Sequence, residues 1–319
     1  MKNKKFLTTI AVVVMSGVLL TAGAMAANPA GSAYEQFKSV LAKEHESIEN
    51  ATVNMSMAIS DNGQAVIALD GSMKVDKDSN KMSGTFQISG KTAKSFEVYK
   101  NNDDMLLQLA GSENWYKTTN KDEYSEDGDE FRRGFGPEGR ENAGENKQMK
   151  EALLDTLMGD YKDQINMTET NGLRTFSLSL DEGNMPVLLQ TAFQMSDTYE
   201  DKECEVPEDL SQLPQELQDA FADMKLCEYD VDMVDKKLEA IAISITVDQY
   251  NNPVGMSMSL TCSGTDAEGT SHVLDVDLSM SFSDVGITVA DEVNPDAESV
   301  ITIDSEILSG PCRRNCVRD

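Results

Sequence analysis

Residues 51 to 119 alternate apolar and polar side chains for most of their length, and that period of two leaves few folds open. Val53, Met55, Met57 and Ile59 interleave with Thr52, Asn54, Ser56 and Ser60. After the turn Ser60-Asp61-Asn62-Gly63 the alternation resumes with Ala65, Ile67, Leu69, Met73 and Val75. A second turn over Asp76 to Asn80 leads to Met82, Phe86 and Ile88, then to Phe96 and Val98, then to Met105, Leu107 and Leu109. The run ends in Gly111-Ser112-Glu113-Asn114-Trp115-Tyr116-Lys117, which carries the only tryptophan. Alternation bounded by Asn, Gly and Asp turns predicts antiparallel strands with one apolar and one polar face.

The first 26 residues read as an address rather than as structure. Lys2, Lys4 and Lys5 precede an apolar run from Phe6 to Leu20, and Ala24-Met25-Ala26 supplies small residues for cleavage after Ala26. The other reading is an uncleaved anchor, since the apolar stretch is nearly long enough to span a bilayer. No cysteine follows the run to take a lipid, and no later segment is apolar enough to cross. The expected organisation is a signal peptide at 1–26, one domain at 27–304 and a tail at 305–319. The expected location is outside the cytoplasmic membrane, secreted or held at the cell surface, with no transmembrane segment in the mature chain.

A formal charge of −29 argues against nucleic acid and against adsorption to anionic lipid heads. The five cysteines are scattered. Cys204 and Cys227 flank a helical segment and could pair in an oxidising compartment, and Cys312 and Cys316 could close a small loop. Cys262 falls on an apolar strand phase and reads as a buried thiol. No CxxC pair or histidine cluster offers zinc four ligands, so no metal and no cofactor are expected.

Gly31 to Ile48 reads as an amphipathic helix with Tyr34, Phe37, Leu41 and Ile48 on one side. Residues 120 to 147 combine many carboxylates with Arg132, Arg133 and several glycines, the composition of an acidic flexible insertion. Gly134-Phe135-Gly136-Pro137-Glu138-Gly139 matches the dinucleotide signature in form only, because an acidic loop precedes it and a proline interrupts it. Glu145 to Tyr161 is expected to be helical. Ile165 to Leu180 forms a hairpin about Asn171-Gly172, and Asn184 is expected to cap a helix with Pro186 in its first turn. Another helix is expected within Pro207 to Leu226, its regular part starting at Pro214. From Tyr229 a second meander is predicted, with Ile241 to Val247, Val254 to Leu260 and Leu274 to Phe282 alternating. Short runs at Val285 to Val289 and Val300 to Ile303 complete an α+β plan in which helices lie on one apolar sheet face.

The chain lacks a GxSxG elbow, an HExxH pair and a GxxxxGK[ST] loop, and it holds two histidines. Its carboxylates lie in turns and polar phases, where nothing raises their pKa toward neutrality. An enzyme is not expected. Methionines instead crowd the inward phase at 55, 57, 73, 82, 105, 256, 258 and 280. They serve as core packing or line a pocket that moulds to acyl chains. The Met-x-Met pairs at 55/57 and 256/258 would suit Cu(I), a reading that ranks behind both.

A signal-like start, a helix ahead of a long meander and the phrase Glu113-Asn114-Trp115-Tyr116-Lys117 together resemble the LolA/LppX-like superfamily of bacterial envelope proteins. The hairpin from Ile243 to Leu260, with Val247-Asp248 entering its turn, adds to the likeness. The resemblance implies an antiparallel half-barrel sheet of about 11 strands whose concave apolar face is covered by helices. It also implies a lipid-binding cavity without catalytic residues. The expected function is therefore a non-enzymatic protein holding lipid or another hydrophobic small molecule. The expected lining is Met55, Met57, Ile67, Leu69, Phe86, Phe96, Met105 and Leu107. The alternative is an envelope interaction or sensor module with a filled core and no cargo, whose partner is another envelope protein met through the acidic loop and polar strand faces.

Overall fold

The computed structural model describes residues 32–42, 50–90, 92–102, 104–119, 155, 158–195, 213–224 and 233–303. The predicted signal, the 120–147 insertion, the 305–319 tail and Cys204, Cys227, Cys312 and Cys316 lie outside the described residues. The described strands form one sheet. Its first meander comprises β1 (Asn50–Asp61), β2 (Gln64–Asp76), β3 (Lys81–Ser89), β4 (Ala93–Asn101), β5 (Asp104–Leu109) and β6 (Trp115–Thr119). The second comprises β7 (Asn166–Thr170), β8 (Leu173–Asp181), β9 (Val234–Val247), β10 (Pro253–Thr265) and β11 (Ser271–Ser283), and β12 (Val300–Ile303) closes the described chain.

The spatial order is β12-β6-β5-β4-β3-β2-β1-β11-β10-β9-β8-β7. The two meanders therefore join through their first and last strands, with Met55 opposite Met280 and Ile59 opposite Val276. The sheet is not closed. It departs from the expected antiparallel set of about 11 strands in holding 12, one of them parallel. Val300–Ile303 runs alongside β6 in the same direction. A parallel partner requires a crossover, and residues 284–299 supply it by crossing the polar face. Asp291 fastens this strap, its backbone N–H donating to Ser83 Oγ at 2.8 Å while Lys74 Nζ donates to its carboxylate at 2.9 Å. The run Val285 to Val289 is consequently no strand. Val285, Ile287 and Val289 are exposed and Thr288 is buried, because the segment crosses the sheet rather than joining it.

Tight hairpins follow from residues that tolerate positive φ. Asn62 and Gly63 take φ of 50° and 75°, and Asn171 and Gly172 take 53° and 77°, the signs a two-residue turn needs to match strand twist. Three helices of eight or more residues are described: α1 (Ala33–Ala42), α2 (Val187–Met195) and α3 (Gln215–Met224). Helix α1 occupies the middle of the expected 31–48 stretch. Of the expected 145–161 helix the described part is helical at Asp155 and Met158 and then tightens into a 3₁₀ turn over Gly159–Gln164. Asn184 does not cap α2. Its Oδ1 accepts from the Asp181 N–H at 2.6 Å, ending β8, and the Pro186 carbonyl takes the first helical bond from Gln190.

Each helix contributes to a separate buried cluster. Phe193 of α2 packs with Ile59, Ile67, Ile88, Leu260 and Val276. Tyr34 and Val40 of α1 pack with Phe176, Ile245 and Val247. Leu213 together with Leu217 and Ala220 of α3 packs with Leu109, Tyr116 and Ile303. Each large side chain so buried stabilises the fold by about 1.5–3 kcal/mol. Polar contacts fix where each helix lies. Gln190 bonds both backbone groups of Leu238, accepting from its N–H at 3.2 Å and donating to its carbonyl at 2.5 Å. Pairing of β8 to β9 ends at Ala240, so the amide acts as the missing neighbour strand. The Tyr116 hydroxyl donates to Glu216 at 2.5 Å and ties α3 to β6. The Tyr34 hydroxyl donates to Asp155 at 2.5 Å, and Lys38 reaches the same carboxylate at 3.1 Å.

Candidate functional site

The register sets a row of apolar-phase residues directly across the first meander and into the second. Met280, Met55, Gly71, Phe86, Phe96 and Leu109 are each opposite the next. Phe86 and Phe96 stack with ring centroids 5.4 Å apart and planes 20° apart. A Cβ added to Gly71 would overlap the Phe86 ring, so the glycine is what lets that ring lie against β2. Met55, Met57, Met73, Phe86 and Met280 are half-buried and belong to none of the three clusters. They form a Met/Phe patch between the part of the sheet packed on α2 and the part packed on α3, with Phe96 touching both clusters.

Five of the expected lining residues are contiguous here. Met55, Phe86 and Phe96 share the row, and Met57 and Leu69 pair one row along. Ile67 lies a further row away, opposite Ile59, and is buried in the α2 cluster. Leu107 is on the other side of the row, opposite Val98 and Tyr116, and packs against the α3 cluster. Met105 is opposite Lys100 and Thr118 at a strand end and is 37% exposed, apart from the patch. Sequence reasoning left Gly71 and Met280 out of the lining. A glycine inside an alternating strand is a signal of close approach that would have found the first. Met280 needed the β1–β11 pairing, which no local pattern announces.

On the opposite face the register aligns hydroxyls. Ser177, Ser244, Ser257, Ser279 and Ser56 are paired in turn across β8, β9, β10, β11 and β1. Asp70, Gln87 and Ser95 continue the row on β2, β3 and β4. A parallel row runs through Ser281, Asn54, Ser72, Thr85, Glu97 and Gln108. A depression of about 870 Å³ is lined by the first row from Ser279 through Ser56 to Ser95, by the second row, and by the residues between them, Met280, Met55, Gly71, Phe86 and Phe96. The neighbours Met57, Leu69, Met73, Ile88 and Val98 take no part in it. A hollow above the Met and Phe side chains would touch those neighbours, which stand on the same face. A hollow above the hydroxyls touches both polar rows and only the backbone between them. The depression therefore opens on the hydroxyl-rich face. A second one, of about 390 Å³, lies over β8 to β11 on the other side of the serine row, between it and Ser179, Ala242, Ser259, Asp277 and Ala58, and shares Ser56 and Ser279 with the first. On β1 it reaches Ser56 and Ala58 but not Met57, which places it on the same face.

No family model matches the chain. No curated protein matches it either. Among solved structures it is similar to a crystal structure of a β-barrel-like protein of the domain of unknown function DUF1849 from Brucella abortus, at 7% identity and a TM-score of 0.17. That likeness covers 74% of this chain and 98% of the other, and a score so low carries no argument about fold or function.

The titratable groups set limits on chemistry. His272 stands near the start of β11, two residues before the buried Leu274. It lies between two carboxylates, with Nδ1 2.7 Å from Asp61 Oδ2 and Nε2 3.3 Å from Asp266 Oδ2. The bond to Asp61 raises its pKa above the usual histidine range, against a smaller lowering by burial. Both ring nitrogens are engaged, so neither faces a nucleophile. Cys262 is fully buried, and desolvation pushes its thiol up to about 12, which keeps it unreactive. Among the described residues no three His, Cys, Asp or Glu side chains converge as metal ligands. Among them, too, no helix is long and apolar enough to cross a membrane.

Proposed function

We propose that this protein is a non-enzymatic binding protein that holds a lipid or another hydrophobic small molecule against the Met/Phe patch, working outside the cytoplasmic membrane. The observation that carries the reading is that Met280, Met55, Met57 and Phe86 lie side by side, half-buried, outside the three helix-packed clusters of the described residues. Thioethers are flexible and polarisable, and a patch of them adapts to apolar partners of varied shape. In this reading the sheet acts as a half-barrel of the LolA/LppX-like kind, with helices over its apolar face and the ligand in the gap between α2 and α3. Burying an acyl chain gains about 0.8 kcal/mol per methylene, so ten of them amount to roughly 8 kcal/mol, a micromolar affinity before the costs of association.

The test is native mass spectrometry of the protein purified from a bacterial envelope, with organic extraction of any bound lipid. A stoichiometric lipid, lost in Met55→Asp and Phe86→Asp variants that still fold, is the expected result. A clean unliganded mass that lipids leave unchanged would overturn the reading in favour of an envelope interaction module.

A further inference from the structure

We propose that the hydroxyl-lined trough on the other face of the sheet is a second binding site, which takes an unbranched amino-sugar polymer. Shape is the first reason. The two depressions lie on either side of the serine row, share Ser56 and Ser279 as their common wall, and together reach from β8 to β5 across nine strands. At about 4.8 Å between strands this stepped trough spans roughly 38 Å, and each depression is about 7 Å wide between its two side-chain rows. A site that long and narrow suits a single extended chain better than a compact molecule.

Hydrogen bonding is the second reason. Asp70, Thr85, Gln87, Ser95 and Ser279 are exposed, and their side chains make no hydrogen bond among the described residues. Hydroxyls and amides donate and accept at once, as the hydroxyls and amines of a sugar chain do. A peptide fits less well. Extended peptides add to a sheet edge through free backbone groups, whereas the strands under the trough are paired on both sides except at β8 and β5, whose outer neighbours β7 and β6 are shorter.

Charge is the third reason and selects the class of sugar. Asp70, Glu97 and Asp277 line the trough, and among the described residues no Lys, Arg or His does. A polyanion would be repelled, as it would by the chain as a whole at −29, and an amine on alternate units would be drawn in. The trough and the Met/Phe patch lie on opposite faces, so this site stands or falls independently of the lipid.

The experiment is a calorimetric titration of the full chain with a glucosamine hexasaccharide, and in parallel with a hexalysine peptide. The hexasaccharide is expected to bind. Asp70→Lys and Gln87→Ala, both at exposed positions and checked for fold by circular dichroism, should each weaken it about tenfold or more. Val187→Asp, at an exposed position of α2 outside both depressions, should leave it unchanged. Absence of hexasaccharide binding at millimolar concentration, or binding that neither trough variant weakens, would overturn the proposal. Equal binding of hexalysine would also overturn it, since charge alone would then account for the site.

Discussion

Met55 and Ser56 are neighbours in the chain and face opposite surroundings, and the same holds for Phe86 and Gln87 and for Met280 and Ser281. Across β11, β1, β2 and β3 one face is methionine and phenylalanine and the other is hydroxyl and amide. The two faces share every backbone bond and differ by a single residue of register. They also differ in what lies on them. The apolar face is gripped in three places by buried clusters, each anchored by its own polar contact. The polar face carries the 284–299 strap, fastened by Asp291, with open hydroxyl rows beside it. A pleated strand thus gives two independent surfaces, and tertiary packing decides which parts of each remain free.

The contrast can be broken most severely at one pair of adjacent residues. Val276 is 1% exposed, and Val276→Asp buries an unpaired carboxylate. A loss of about 4 kcal/mol or more is expected, read as failure to give a cooperative urea transition. Asp277→Val, one step along on the exposed face, should stay within about 0.5 kcal/mol of the parent. The glycines sharpen the comparison. Gly71→Ala must displace the Phe86 ring and should cost about 2 kcal/mol in the same assay. Gly255→Ala, on the hydroxyl side, meets only the Met280 carbonyl oxygen at 3.5 Å and should be neutral or slightly stabilising.

Tyr116→Phe should cost about 1.5 kcal/mol in thermal or chemical denaturation, because Glu216 loses its shortest bond while keeping the one from Ser112 Oγ at 2.9 Å. The phenol it removes is held up to about 12, first by burial and then by the bond to Glu216, so this interaction is indifferent to pH near neutrality. His272 is not. Its folded pKa is raised, so the stability it contributes is fully present below about 6.5, its unfolded value, and is lost as pH rises through the folded pKa. Unfolding free energy measured across that window should fall with rising pH in the parent and lose that component in His272→Gln. An unchanged slope in the variant would mean that the Asp61–His272–Asp266 contact does not form in solution.

Several features were legible residue by residue. The alternation from Val53 to Leu109 assigned each side chain to a face, and Asn62-Gly63 and Asn171-Gly172 marked hairpins because they accept positive φ. Cys262 read as a buried thiol and is one. Pairing between distant strands was not legible. Nothing near Met55 says that Met280 lies opposite, and nothing near Val300 says that it pairs in parallel with Trp115. Val285, Ile287 and Val289 alternate like a strand yet lie exposed on a crossing strap. Asn184 has the chemistry of a helix cap and spends it on the end of β8. A local pattern reports what a segment can do, and competition among segments decides what it does.

By itself, then, the sequence determined the strand period, the tight turns, the acidic surface and which side chains share a face, because these depend on neighbours within a few residues. The tertiary structure alone decided that the two meanders join through β1 and β11, which aligns methionines into one patch and five serines into one row. It also decided that α2 and α3 pack on either side of that patch and leave it half-open. Those outcomes rest on register between strands more than 200 residues apart, where a one-residue slip would have exchanged the faces.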